Sequence, residues 1–145
     1  DGCLIHCGDP RIVQRFRQFL RERRLLTDAT HRMRLFGGAW YLAHGSPEQR
    51  AMVLAQIGVS VCLGGQRIVL ANHADCVWYA SATPGHPNTV DAHAEDIRTA
   101  CECVRKRFPD VLVLGYVVPI VGARVEEPRE IVSHVPARVS ANSPQ

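Results

Sequence analysis

The sequence predicts a single α/β domain with a mostly parallel four-stranded sheet, helices on both faces and a short extra antiparallel strand. Short apolar runs, typical of buried strands, alternate with longer segments whose apolar residues recur at helical spacing. This repeated order of strand and helix favours parallel strands joined by crossover helices. With 145 residues, of which 46% are apolar and 21% charged, the chain can bury one core and does not have the composition of a disordered protein.

The first strand is predicted at residues 3–7, an apolar run that ends at Gly8. Pro10 then suits the first turn of a helix, because an N–H at that position has no intrahelical partner. A second strand is predicted at residues 31–36, before two consecutive glycines. The apolar positions of the first helix recur at helical spacing opposite an arginine-rich face: Ile12, Val13, Phe16, Phe19 and Leu20.

The Ser-Pro-Glu-Gln sequence at residues 46–49 indicates the start of a second helix. It supplies an N-cap serine, a first-turn proline and the glutamine of a capping box. The helix is predicted to run towards Gly58 and to resume as far as residues 64–65. The third strand is predicted at residues 67–72.

A third helix is predicted from residues 88–89 up to a proline, and it carries a continuous apolar stripe. The fourth strand is predicted at residues 111–118, and residues 123–132 add the short extra strand. Residues 134–145 are rich in Ser, Pro and Ala, so we expect a flexible or partner-docked tail after a single domain of residues 1–133. The stripe consists of Val90, Ala94, Ile97, Cys101, Val104 and Phe108.

The charge and the cysteine content of the chain indicate which partners and which cellular compartment to expect. The net charge is +3, and six arginines fall within residues 11–24. Such a run most often marks a solvated helix face, so nucleic acid is not expected as a partner. No uninterrupted apolar stretch reaches about 18 residues, which argues against a membrane-spanning helix. Six cysteines are too few for a disulfide scaffold, and the printed sequence opens without a secretion leader, so we expect a cytoplasmic protein.

Metal-binding residue types stand at the ends of two predicted strands. Cys7 ends the first strand, His73 directly follows the third, and Cys76 lies three residues further on. If these two strands are neighbours in the sheet, all three side chains can reach one ion. Two thiolates and one imidazole are a set that zinc favours, and three protein ligands leave a fourth position for water, as in catalytic sites.

Asp9 and Arg11 follow the first of these candidate ligands. Asp9 is expected to project beside the metal, and Arg11 to pair with it as a bidentate fork that keeps it ionised. Asp9 could then accept a hydrogen bond from a zinc-bound hydroxide. The alternative interpretation takes Cys7 as a small apolar core residue, Asp9 as a helix cap and Arg11 as a surface residue.

The two motifs together resemble those of the β-class carbonic anhydrases: Cys-x-Asp-x-Arg at residues 7–11, followed later in the chain by His-x-x-Cys at residues 73–76. The resemblance implies that Cys7, His73 and Cys76 bind Zn²⁺ and that Asp9 and Arg11 form the catalytic dyad. It also implies reversible hydration of carbon dioxide to bicarbonate through a zinc-bound hydroxide. A homodimer or larger homo-oligomer is the assembly that it implies.

The sequence departs from this family around the expected substrate pocket. Val77 follows the last ligand where the family usually has glycine, and Gly37 and Gly38 replace an Arg-Asn-Ala-Gly-like turn. We expect these two glycines to let a small ligand approach the backbone, and Val77 to line the pocket. Because the first strand begins almost at residue 1, the resemblance implies a minimal or divergent member that lacks the N-terminal helical arm.

Two other functions are compatible with the same residues. A hydrolase of carbonyl sulfide or carbon disulfide would use the same zinc site with altered access, and the changed residues around Val77 and Trp40 favour it. The other alternative is a non-catalytic, zinc-bearing assembly or binding module. Two details stay open at this stage: Asp9 could close the site by binding zinc in place of water, and His86 could relay protons from its loop.

Overall fold

The computed structural model describes residues 1–137 and shows a five-stranded sheet with helices on both faces. The strands are β1 (Gly2–His6), β2 (His31–Arg34), β3 (Arg67–His73), β4 (Leu112–Val118), β5 (Ile120–Val121), β6 (Arg124–Val125) and β7 (Arg129–His134). The helices are α1 (Pro10–Glu22), α2 (Trp40–Ala43), α3 (Pro47–Cys62), α4 (Val77–Ala82) and α5 (Val90–Arg107).

The strand order of the large sheet is β2-β1-β3-β4-β7. The first four strands are parallel to one another, whereas β7 pairs antiparallel with β4. The short strands β5 and β6 form a separate antiparallel hairpin. The predicted fold class, four parallel strands with an added antiparallel one, is therefore confirmed.

Each face of the sheet packs against a different set of helices. Side chains alternate along a strand, so Cys3 and Ile5 of β1 join the core formed with α2, α3 and α5, while Leu4 joins the core formed with α1 and α4. Helix α1 buries the predicted residues Ile12 and Phe16 against the sheet. Burial on both faces explains why these strands read as continuous apolar runs.

The observed strand bounds differ from the predicted ones where the site is built. Strand β1 ends at His6, so Cys7 is the first residue beyond it, while β3 extends through His73, which the sequence placed just after the strand. Strand β2 is confined to His31–Arg34 instead of residues 31–36, because the chain turns away at two glycines with positive φ.

Two short helices, α2 and α4, were not predicted, because helices of four and six residues are too short to show an apolar period. Helix α3 runs without interruption through Gly58. The predicted extra strand at residues 123–132 divides into β6 and β7. His134, the first residue of the expected tail, lies in β7, and residues 138–145 lie outside the described part of the chain.

The order of the strands places a crevice beside β1 and β3. From β1 the chain crosses to β2 on one side, and from β3 it crosses to β4 on the other. The crossover connections therefore diverge at the carboxyl ends of these two strands, which is where ligands bind in open parallel sheets. Because β1 and β3 are direct neighbours, the residues that follow them meet in this crevice.

Two surface features bear on possible partners: the length and polarity of the helices, and a basic face on α1. No helix within residues 1–137 is long and apolar enough to cross a membrane. The basic face of α1 continues onto β2, because Arg17 lies near Arg32 and Arg34. Burial and these neighbouring positive charges, together with Arg21, lower the pKa of Arg17. The expectation that nucleic acid is not a partner stays a prediction.

Gly38 fixes the turn between β2 and α2 against the end of β3. Its φ is +56°, and a Cβ atom there would lie 2.3 Å from the carbonyl oxygen of Ala71 and 2.9 Å from Oδ1 of Asn72. Gly122 has a closely similar φ of +59°, but a Cβ atom there would meet nothing within 4 Å. The two glycines therefore differ in the space around them and not in backbone conformation.

We expect Gly38→Ala to destabilise the protein much more than Gly122→Ala. Both variants place an L-residue in the left-handed region, which costs about 1–2 kcal/mol. Only Gly38→Ala adds an overlap with backbone atoms of β3, so its total loss should reach about 3 kcal/mol or more. The free energies of unfolding in urea measure both losses. Equal losses in the two variants would contradict the close approach of Gly38 to β3.

Candidate metal centre

The three predicted metal ligands meet at the carboxyl end of the sheet. Cys7 follows β1, His73 is the last residue of β3, and Cys76 precedes α4 as its N-cap residue. One ligand atom from each lies within 4.8 Å of the other two, and the two sulfur atoms are 4.0 Å apart. All three residues are buried, with at most 2% of their surface exposed. The structure therefore brings the predicted ligands together.

A backbone hydrogen bond orients the imidazole of His73. Its Nδ1 donates to the carbonyl oxygen of Ala74 at 2.7 Å, so the lone pair of the neutral ring is on Nε2. That Nε2 atom is buried and has no hydrogen-bond partner among residues 1–137. A buried polar atom without a partner is costly in a protein interior. A metal ion would supply the missing partner, and a second ring nitrogen bound to a carbonyl is typical of metal-binding histidines.

The two thiols interact strongly with each other. The hydrogen bond from Cys7 lowers the pKa of Cys76 to about 6, helped by the backbone N–H groups of Tyr79, Trp78 and Gly37. The same bond, followed by burial, raises the pKa of Cys7 to about 12. In the absence of a metal, the pair thus shares one proton, and a bound cation would favour the loss of both.

The donor set and its spacing fit zinc. Two Zn–S bonds of about 2.3 Å at a tetrahedral angle place the sulfurs about 3.8 Å apart, close to the 4.0 Å between Cys7 Sγ and Cys76 Sγ. Thiolate and imidazole donors are also those that zinc prefers over magnesium or calcium. The residues present can therefore hold a zinc ion with little rearrangement.

Asp9 and Arg11 form a tight ion pair beside these ligands. Both oxygens of the Asp9 carboxylate accept hydrogen bonds from the Arg11 guanidinium, at distances of 2.7 to 3.1 Å. These bonds hold the pKa of Asp9 below its usual range. Asp9 Oδ2 lies 3.8 Å from His73 Nε2. In this structure Asp9 is thus directed to Arg11 while staying next to the metal ligands, which is the predicted pairing.

Arg11 also reaches the segment between the other two ligands. Its guanidinium donates to the carboxylate of Asp75 at 3.2 Å and to the carbonyl oxygen of Asp75 at 3.1 Å. Asp9 is in addition the N-cap of α1, since its carboxylate accepts from the backbone N–H of Arg11 at 2.9 Å. The helix-cap interpretation of Asp9 is therefore correct, and it coexists with the ion pair.

A cavity of about 360 Å³ opens over these residues. Val77 lines it, as predicted, and is 75% exposed. Gly37 and Gly38, expected in the pocket wall, lie behind it: a Cβ on Gly37 would come within 2.3 Å of Trp78. Their role is to let the backbone pack against Trp78 and β3. The lining residues are Cys7, Asp9, Pro10, Arg11, Phe36, Asp75, Cys76, Val77 and Trp78.

Asn88 is a residue of the site that sequence reasoning missed. Its side chain pairs with both backbone groups of Cys76, accepting from the N–H at 3.0 Å and donating to the carbonyl oxygen at 2.9 Å. Its carbonyl oxygen also accepts from the N–H of Asp75 at 3.1 Å. Asn88 has a φ of +58°, and asparagine tolerates this conformation better than most residues. The sequence signal was interpreted only as the start of a helix.

A second group of possible ligands lies behind α4: His44, His86 and Asp96. Nε2 of His86 and Nε2 of His44 lie 3.0 and 2.9 Å from Asp96 Oδ2. However, Nδ1 of His86 accepts a hydrogen bond from the backbone N–H of Asn88 at 3.0 Å. The proton of the neutral ring is therefore on Nε2, where it donates to Asp96, so this nitrogen has no free lone pair for a metal. The group is a hydrogen-bonded cluster.

His86, which we considered as a proton relay, does not face the cavity in the structure. Its side chain is 8% exposed and points to Asp96, and it is not among the residues that line the cavity. A role in proton transfer therefore stays a prediction.

Comparison with known proteins shows likeness in structure only. The sequence matches no known family model and no curated protein sequence. A β-carbonic anhydrase of Trichomonas vaginalis is 15% identical with a TM-score of 0.56, over 90% of this chain and 81% of that one. A carbonic anhydrase from Streptococcus mutans is 17% identical with a TM-score of 0.54, over 90% of this chain and 80% of that one. A tetrameric β-carbonic anhydrase from Sordaria macrospora is 12% identical with a TM-score of 0.57, over 92% of this chain and 81% of that one.

These likenesses confirm the fold that the two motifs implied. The chain has a β-carbonic-anhydrase-like fold over nine-tenths of its length. At identities of 12 to 17% the likeness shows the fold alone. The chemistry of the chain must therefore be argued from its own side chains.

We expect the purified wild-type protein to retain about one zinc ion per chain after dialysis against a weak chelator. Cys76→Ser should lose most of this zinc, because it removes one of three donors. Cys62→Ser is the matched control, since Cys62 is exposed and outside the centre, and it should retain the wild-type content. Elemental analysis gives the zinc-to-protein ratios. Full zinc retention by Cys76→Ser would exclude this ligand set.

Proposed function

We propose that the protein is a zinc-dependent enzyme that reversibly hydrates carbon dioxide to bicarbonate. The observation that carries the proposal is the placement of the Asp9–Arg11 ion pair beside the Cys7, His73 and Cys76 donors, at the base of an open cavity. The β-carbonic-anhydrase-like fold supports the same proposal, since the proteins of similar structure are carbonic anhydrases.

Cys7, His73 and Cys76 would hold the zinc ion. When bound, zinc supplies Lewis acidity, which lowers the pKa of water so that a nucleophile is available near neutral pH. Two thiolates donate much negative charge to the ion, so the rest of the site has to favour the reaction as well. Burial of the three ligands assists, because electrostatic interactions are stronger where bulk water is excluded.

Asp9 is the residue that we assign to orienting the nucleophile. Its carboxylate is ionised over a wide pH range, because hydrogen bonds from Arg11 lower its pKa, and it can therefore accept a proton-donating bond from the attacking water. By accepting this hydrogen bond, Asp9 directs the reactive lone pair of the water oxygen towards the cavity. Orientation of this kind removes part of the entropic barrier to attack.

Arg11 is assigned to holding Asp9 in this direction. The guanidinium contacts both Asp9 oxygens and also the carboxylate and carbonyl groups of Asp75. It thus joins the segment after β1 to the segment between His73 and Cys76. A rigid, two-pronged contact of this type is specific to arginine.

The cavity wall suits a small apolar substrate. Phe36 and Val77 are 62% and 75% exposed, and together with Trp78 they form the apolar part of the cavity lining, which also contains the charged pair. Carbon dioxide has no net dipole and can approach along this apolar part, whereas bicarbonate, as an anion, is better solvated by water.

We also expect a homodimer or a multiple of it, since exposed apolar residues at the cavity rim are suited to burial by a second copy.

Stopped-flow measurement of carbon dioxide hydration by zinc-loaded protein tests the proposal. The expected result is turnover well above the buffer background. Absence of turnover in zinc-loaded protein would contradict the proposed reaction. Two follow-up assays then separate the alternatives: consumption of carbonyl sulfide or of carbon disulfide would identify a hydrolase at the same centre, and inactivity towards all three compounds would favour a non-catalytic zinc-bearing module.

Asp9→Asn should retain zinc but lose roughly 10²-fold or more of the turnover, the usual contribution of a positioned proton-transfer group. The reason is that a neutral amide is a weaker acceptor and loses its ion pair with Arg11. Asp28→Asn is the control, since Asp28 is exposed and does not line the cavity; its turnover should equal that of the wild type. Wild-type turnover in Asp9→Asn with normal zinc content would refute the assignment of Asp9.

A further inference from the structure

Asp96 is a half-buried carboxylate on α5 that the proposed reaction does not use. Its side chain is 13% exposed, and its Oδ2 atom accepts from His44 Nε2 at 2.9 Å and from His86 Nε2 at 3.0 Å. It contacts none of the three metal ligands. A carboxylate placed among converging donors fixes the directions of those donors. The residues that these histidines contact are therefore fixed as well.

One chain of contacts leads from Asp96 to Cys76. His86 donates to Asp96 and accepts from the backbone N–H of Asn88 at 3.0 Å. The side chain of Asn88 then pairs with both backbone groups of Cys76. Through His86 and Asn88, Asp96 on α5 is thus connected to the backbone of one candidate ligand.

His93 supports this first chain from the side. Its Nε2 lies 2.7 Å from Asn88 Oδ1 and donates to it. Burial lowers the pKa of His93 to about 3, so the ring stays neutral and acts as a fixed donor. Asn88 Oδ1 therefore accepts from both the Cys76 N–H and His93, which limits its freedom to rotate.

A second chain of contacts leads from Asp96 to the residue beside His73. Tyr79 is fully buried, and its ring packs against His86 with 4.6 Å between ring centroids. Because His86 donates to Asp96, the carboxylate holds in place the ring on which Tyr79 packs. Burial, followed by the negative charge of Asp96, raises the pKa of Tyr79. The Tyr79 hydroxyl accepts from Asn72 Nδ2 at 2.8 Å, and Asn72 Oδ1 accepts from the backbone N–H of Ala39 at 2.9 Å.

We propose that Asp96 is a positioning residue for the metal centre, acting through Asn88 on Cys76 and through Tyr79 and Asn72 on the end of β3 that carries His73. The proposal rests on zinc binding as argued for the proposed function. Without Asp96, His86 loses its acceptor and Tyr79 loses the fixed ring on which it packs, so both segments that carry the candidate ligands gain freedom. Partners that orient metal ligands typically change metal affinity by about 10- to 100-fold when removed.

Asp96→Asn tests the proposal, because it keeps the size of the side chain but replaces one carboxylate oxygen by an amide NH₂ group. This group cannot accept the hydrogen bonds that His44 and His86 donate. The rate of zinc release to a colorimetric chelator should rise by about 10- to 100-fold. Asp91→Asn is the matched control: it makes the same substitution at an exposed position of the same helix, and its variant should release zinc at close to the wild-type rate. Equal release rates for Asp96→Asn and the wild type would overturn the proposal.

Cobalt substitution separates positioning from a general loss of stability. The ligand-field absorption bands of Co²⁺ report the geometry of the centre, and they should shift in Asp96→Asn but not in Asp91→Asn. Unshifted bands in Asp96→Asn, whatever its thermal stability, would assign Asp96 a merely structural role. If this variant fails to fold, Tyr79→Phe provides the same test on the second chain, since it removes only the hydroxyl.

A double variant tests the first chain directly. Asn88→Gly tolerates the positive φ of this position and removes the side-chain bonds to Cys76 together with the bond from His93. If Asp96 acts through Asn88, adding Asp96→Asn should accelerate zinc release by less than the product of the single effects. Simple multiplication of the two effects would contradict this route. These readouts need no turnover, so failure of the hydration assay leaves them interpretable, whereas wild-type protein without zinc would overturn both proposals.

Discussion

The structure depends on one constraint: two sulfur atoms and an imidazole nitrogen meet in a buried space in which, among the described residues, the nitrogen has no hydrogen-bond partner and the two sulfurs hydrogen-bond to each other. His73 Nε2 has no hydrogen bond among residues 1–137, and the sulfurs of Cys7 and Cys76 lie 4.0 Å apart with a shared proton. Buried polar atoms are normally satisfied. A cation would give all three atoms a partner, and the surrounding elements keep these atoms in place.

The sheet and its turns supply that placement. Parallel pairing of β1 with β3 brings Cys7 beside His73, and Gly38 lets the chain after β2 approach the backbone of β3 too closely for any side chain. On the open side of the centre Arg11 ties Asp9 to Asp75. On the closed side a network around Asp96 reaches both ligand-bearing segments. The centre is thus braced on two sides by charged groups that do not themselves belong to the donor set.

The sequence was sufficient to predict the parallel sheet, the meeting of Cys7, His73 and Cys76, and the pairing of Asp9 with Arg11, because each follows from local pattern or from the rule that strand ends meet. That Cys7, His73 and Cys76 bind a metal stays a prediction. The sequence was insufficient for α4, which is too short to show a period, and for Asn88, whose role depends on contacts with residues distant in sequence. The pocket assignment of Gly37 failed for a related reason. A glycine allows another group to approach the backbone closely, but the sequence does not show whether that group is a ligand or, as here, the side chain of Trp78.

X-ray absorption at the zinc edge tests the central claim most directly, since it counts the atoms bound to the metal without any assumption about activity. The account predicts two sulfur neighbours at about 2.3 Å and two nitrogen or oxygen neighbours at about 2.0–2.1 Å, one of them exchangeable with solvent. Three or four sulfur neighbours would contradict it, because the described centre contains two cysteines and one histidine.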